Sequence, residues 1–203
     1  MQMDVEQLYN IVCGLYNVEI NTNARAVVTN LEEVAQNLTN YWKGTDAVIQ
    51  TNNIVRVYTD LVKDFNNFAI GLVAMSHTVC EVRSVTVSNR GNVDELKPLE
   101  HVNFEIKLNE FVDNNEAIKV DYTVMGNAVS TLRQTCAIMN DIATNILDFR
   151  GKAFEMWLSG ARRDEMMEVI EKLYNSLVSG VNQLELVMKS VSTAADNWQT
   201  LNI

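Results

Sequence analysis

Few residues in this 203-residue chain could carry bond-making chemistry, and their spacing argues against it. His77 and His101 are the only histidines, and neither has Glu three residues earlier, so the Glu-x-x-His ligand pairs of di-iron helical proteins are absent. Cys13, Cys80 and Cys136 are odd in number, far apart and without Cys-x-x-Cys spacing, which suggests neither a disulfide framework nor a zinc site and points to a reducing compartment. Glu32 with Glu33, and Asp164 with Glu165, read as solvated faces rather than an acid and base pair, and no Gly-rich phosphate loop occurs. A Ser-His-Asp or Cys-His set stays formally open, but long rods offer no cleft to hold one. The expectation is a protein without catalytic residues, cofactor or metal.

Charge narrows the partners. A formal net charge of -10 and a pI near 4.6 repel nucleic-acid phosphates and anionic lipid heads, and the densest basic cluster, Arg162 and Arg163, sits among acidic neighbours. The longest uncharged apolar run, Phe68 to Met75, is shorter than the roughly 20 residues a bilayer needs, so no membrane span is expected. Asp4 and Glu6 stand where a secretory signal would carry positive charge.

The elements that must position these residues are helices. One Pro and eight Gly leave few breaks. Ile54, Tyr58, Leu61, Phe65, Phe68, Leu72, Met75, Val79 and Val82 alternate steps of four and three, the mark of one helical apolar stripe. Met167, Ile170, Tyr174, Leu177, Val181, Leu184, Met188, Val191, Ala195 and Trp198 repeat it. Partner stripes precede each, from Ala24 to Tyr41 and from Ile118 to Ile146. Val5, Leu8, Val12 and Leu15 extend the first, with a phase slip near Val18 to Ile20 that predicts a bend or stutter. Such narrow stripes must be buried lengthwise against other rods. The predicted fold is all-α, with two long antiparallel helical hairpins packed as an elongated four-helix bundle.

The turns are placed at Tyr41-Trp42-Lys43-Gly44 and at Phe149-Arg150-Gly151, each an aromatic-x-Gly in which Gly can take a left-handed conformation. They lie 107 residues apart and read as an internal repeat. The domains follow as a first hairpin over 1–84, a linker over 85–106 around Pro98, and a second hairpin over 107–203. Trp157-Leu158-Ser159-Gly160 is a competing site for the second turn. Gly151 is preferred for its match to the first half's spacing, which leaves Trp157 on the following helix.

A helix of about forty residues, the turn Trp42-Lys43-Gly44 and a second heptad-patterned helix resemble the WXG family of type VII secretion proteins. The second half resembles it with Phe149 in place of Trp. The resemblance implies a tandem, fused form whose halves pair as a pseudo-dimer, acting without catalysis as a secretion substrate or as a chaperone or adaptor. It implies a type VII secretion ATPase or a co-secreted helical protein as partner. It also implies folding in a bacterial cytoplasm, with a signal-peptide-independent route to the surface or medium. Trp42, Gly44, Phe149, Gly151 and Trp157 are the expected turn and partner-binding residues, Trp42 either as an exposed aromatic handle or as a cover for the bundle end. The family's usual export mark, Tyr-x-x-x-Asp/Glu, does not occur at any of the six tyrosines. A phage or cytoskeletal spacer and a helical membrane-active toxin are the alternative classes.

Overall fold

A computed structural model describes residues 5–87, 96–113, 120–157 and 160–201. Those residues form an all-helical protein in which four long helical rods pack together. The first rod joins α1 (Val5–Leu15), a π-helical stretch (Tyr16–Ala24) and α2 (Arg25–Tyr41) without a break, because Leu15 and Arg25 keep helical dihedrals at both junctions. The other rods are α3 (Thr45–Val87), α4 (Tyr122–Met156) and α5 (Ala161–Leu201). At 43 residues α3 extends about 65 Å.

The π stretch falls on the phase slip. Leu8, Val12, Tyr16, Ile20 and Ala24 are all buried and all four apart. Four α-helical residues overshoot a full turn by about 40°, so a run of fours would carry the stripe out of the core. The wider i→i+5 turn brings it back. Tyr16 takes the inward position that the heptad phase assigns to Leu15, which is only half-buried.

The first turn forms where expected. Trp42 becomes extended and its N–H donates to the Leu38 carbonyl at 2.8 Å, after which Gly44 takes φ 121°. The second turn does not form at Gly151. That glycine lies inside α4, and the reversal is made by Trp157, extended with its N–H on the Ala153 carbonyl at 2.8 Å, and by Gly160 at φ 134°. Burial explains the difference. Ile146, Phe149, Ala153 and Trp157 continue the inward stripe beyond Gly151, whereas one glycine in a helix interior costs only about 1 kcal/mol. Gly151 has open space where a Cβ would stand.

Moving the turn changes the repeat. Ile54, Leu61, Phe65, Phe68 and Met75 correspond to Ile170, Leu177, Val181, Leu184 and Val191 at an offset of 116, not 107, and all ten are buried. In the preceding arms Val27, Leu31, Val34, Leu38 and Trp42 correspond to Ile142, Ile146, Phe149, Ala153 and Trp157 at 115. The one-position difference is the extra residue of Trp157-x-x-Gly160. α4 begins at Tyr122, where Asp121 Oδ1 accepts the Val124 N–H at 3.1 Å, so the second pair starts later than position 107. Ile118 and the Ser88 to Asn92 part of the linker lie outside the described residues.

Each rod packs against two others: the first against α3 and α4, and α5 against α3 and α4. The neighbours run in opposite directions. Glu6 meets Arg83 and Glu32 meets Tyr58 along α3, while Glu19 meets Asn145 and Asn30 meets Thr135 along α4. Across the α3 and α5 seam, Gly71 faces Met166, and Asp64 accepts from Ser176 at 2.6 Å and Lys172 at 3.1 Å. Gly180 lets three rods approach, since a Cβ there would stand 2.8 Å from Met139 Cε and 3.1 Å from Val57 Cγ1. By length and composition α3 passes as a membrane-crossing helix, yet its stripe from Ile54 to Val79 is core in this fold.

Candidate partner-binding surfaces

The aromatic residues singled out from sequence do not stand on the surface. Trp42 is 4 % exposed, Phe149 2 % and Trp157 7 %. Phe149 is a core side chain of α4, two turns before the reversal, while Trp42 and Trp157 cover helix ends from within. An exposed Trp42 handle is therefore not what the fold presents: once α2 stops, the indole is the largest apolar group available to shield that end. Trp42 also forms an isolated antiparallel bridge with Val120, and the Asp121 N–H donates to the Tyr41 carbonyl at 3.2 Å, which ties the first turn to the start of α4. Beside Trp42 lies a cavity of about 250 Å³ between the first turns of α3 and residues 110–113. The Thr51 hydroxyl on its wall is buried and without a hydrogen-bond partner.

A second surface was hidden from sequence reading. Residues 96–113, which the linker and the second hairpin were expected to share, belong to no helix or sheet and run along the groove between the first rod and α3, gripped by side chains through their backbone. Asn66 donates to the Phe104 carbonyl at 2.9 Å and accepts its N–H at 2.7 Å, and Asn52 does the same to Phe111 at 2.9 and 2.8 Å. Between them the Tyr58 hydroxyl donates to Glu32 at 2.8 Å, lies 3.1 Å from the Glu105 carbonyl and accepts the Lys107 N–H at 2.9 Å. Ser76 Oγ accepts the Leu99 N–H at 2.9 Å. From the opposite wall Tyr16 donates to the Glu100 carbonyl at 2.7 Å and accepts the Val102 N–H at 2.9 Å, and Tyr9 donates to the Lys97 carbonyl at 2.6 Å.

The spacing has a simple cause. A helix rises about 1.5 Å per residue and an extended chain about 3.3 Å, so side chains fourteen apart on α3 match residues seven apart along the segment. Asn52 and Asn66 meet Phe111 and Phe104 at that ratio. Phe104 and Leu108 are buried, Phe104 against Phe65 at a ring separation of 6.2 Å and under the Arg25 guanidinium at 5.7 Å. Burial, aided by the Glu32 charge, pushes the Tyr58 hydroxyl up to about 12, and burial raises Tyr16 in the same direction. In the sequence Tyr58 belongs to the apolar stripe. The available signal for its second role was the recurrence of Asn and Tyr along one edge of that stripe.

The two histidines, separated in sequence, line one shallow depression with Glu81 and Arg162. Among the described residues no group of three or more His, Cys, Asp and Glu stands close enough to hold a metal ion, and the three cysteines are free thiols. Comparison with family models, with characterised proteins and with solved structures gives no match.

Proposed function

We propose that the chain is a non-enzymatic, tandem WXG-like protein that acts by helical protein–protein recognition, as a substrate or a chaperone or adaptor of a type VII secretion system. On this reading its four rods are two antiparallel hairpins packed as an elongated bundle, an intramolecular pseudo-dimer in which each hairpin covers the other's apolar stripe. The observation that carries it is the shared construction of the two reversals: each is a buried Trp on the carbonyl four residues back, followed by a glycine with positive φ. Trp157 restores to the second half the aromatic that Phe149 replaced in the sequence comparison. The Trp residues then act by fixing the hairpin ends that a partner meets.

The test is export and capture. In a bacterium carrying a type VII ATPase, the protein is expected in the medium, or bound to a co-secreted helical protein, only while that ATPase is intact. Equal distribution between medium and lysate with and without the ATPase, together with no captured helical partner, would remove the secretion link and leave a structural or adaptor bundle.

A further inference from the structure

Three of the four α3 side chains that grip the backbone of residues 96–113 recur on α5. At the offset of 116, Tyr58, Asn66 and Ser76 correspond to Tyr174, Asn182 and Ser192. Tyr58 and Ser76 are buried beneath residues 96–113, whereas Asn182 and Ser192 are exposed and Tyr174 is half-buried. Val62, fully covered in the first half, corresponds to Val178, which is 39 % exposed, and Leu147 on the facing edge of α4 is 38 % exposed. The second groove carries three of the backbone-reading groups and lacks the counterparts of Asn52, Tyr9 and Tyr16, and among the described residues no segment lies in it.

We propose that the groove between α4 and α5 binds an extended, basic polypeptide segment of a partner protein, with Tyr174, Asn182 and Ser192 gripping its backbone as Tyr58, Asn66 and Ser76 grip residues 96–113. The occupied groove defines the chemistry of the occupant. An Asn amide that serves both N–H and C=O of one residue reads an extended backbone and is indifferent to the side chain, so specificity falls to apolar anchors at the spacing of Phe104, Leu108 and Phe111. Charge sets the rest. Where the first groove has Asn52, Val55 and Ala69, the second has Glu168, Glu171 and Glu185, so the occupant carries Lys or Arg between its anchors. The proposal does not rest on the secretion reading, because peptide binding and ATPase-dependent export can each fail alone.

The probe is a fluorescent synthetic peptide of residues 96–113 with Glu100→Lys, Glu105→Lys and Glu110→Lys, titrated into the full chain by anisotropy. Saturable binding of one peptide per chain is expected. Asn182→Ala should weaken it about tenfold, Val178→Asp should abolish it, and Asn66→Ala should leave it unchanged. N-methylation of the peptide's Phe104 amide should weaken it as Asn182→Ala does. Positions 178 and 182 are solvent-facing, and unchanged circular dichroism verifies the fold of each variant. Absence of saturation up to the peptide's solubility limit would overturn the proposal. So would binding weakened by Asn66→Ala but not by Asn182→Ala, which would mean that the peptide displaces the resident segment. Sedimentation of the chain alone should give a monomer, and a dimer dispersed by Val178→Asp would overturn the proposal in favour of a second copy as occupant.

Discussion

Gly44, Gly151 and Gly160 look alike in sequence and differ in what each permits. Gly44 and Gly160 hold φ of 121° and 134°, where a Cβ is strained, so Gly44→Ala and Gly160→Ala should each destabilise the protein by about 1–3 kcal/mol. Gly151 is helical with open space around it, and Gly151→Ala should stabilise by about 0.5–1 kcal/mol. Urea denaturation midpoints of the three variants check this, and a destabilised Gly151→Ala would return the turn to that residue. The Tyr58 hydroxyl gives a second test at this scale. Its pKa is raised from 10 to about 12, so its contribution is complete below pH 10 and is lost as pH rises toward 12. Wild-type stability should fall across that window, and fall less in Tyr58→Phe. Equal slopes would show that the hydroxyl is not held by Glu32 and residues 96–113.

Among the elements, the four stripes were legible because apolar side chains at steps of three and four leave no other structure that buries them. The π stretch was legible as a phase slip but not as a type of helix, since a run of fours states only that the α period fails. The second turn does not follow its aromatic-x-Gly, because the apolar stripe outweighs that local signal. Phe149, Ala153 and Trp157 continue that stripe beyond Gly151, and the stripes of α3 and α5 already carried the 116 offset. The course of residues 96–113 was not legible, because its stability lies in side-chain bonds to backbone groups that any sequence possesses. At Gly180 three elements meet closely, and a methyl there would meet Met139 and Val57. Gly180→Ala, although favourable for an isolated helix, should cost about 1–3 kcal/mol by overpacking the meeting of α3, α4 and α5, measurable as a lower thermal midpoint.

For the whole molecule, the buried polar contacts fix which rods meet and at what height. Glu19, 2 % exposed, accepts amides from Asn23 at 3.0 Å and Asn145 at 2.8 Å, and a slip of α4 along the first rod would leave its carboxylate buried without them. Asp64 pins α5 to α3 in the same way. Asn145→Ala should therefore cost about 1–3 kcal/mol while leaving helix content intact, as seen by comparing denaturation midpoints with circular dichroism. In this register the rods of both halves of one chain meet, the first rod on α4 and α3 on α5. Asn30 Nδ2 and Thr135 Oγ1 stand 3.1 Å apart across the two halves. In a chain whose three native cysteines are changed to serine, Asn30→Cys with Thr135→Cys should be joined within one chain by a short thiol-specific cross-linker and run as a compact monomer. A cross-link that forms only between two chains, or none at all, would contradict this fold.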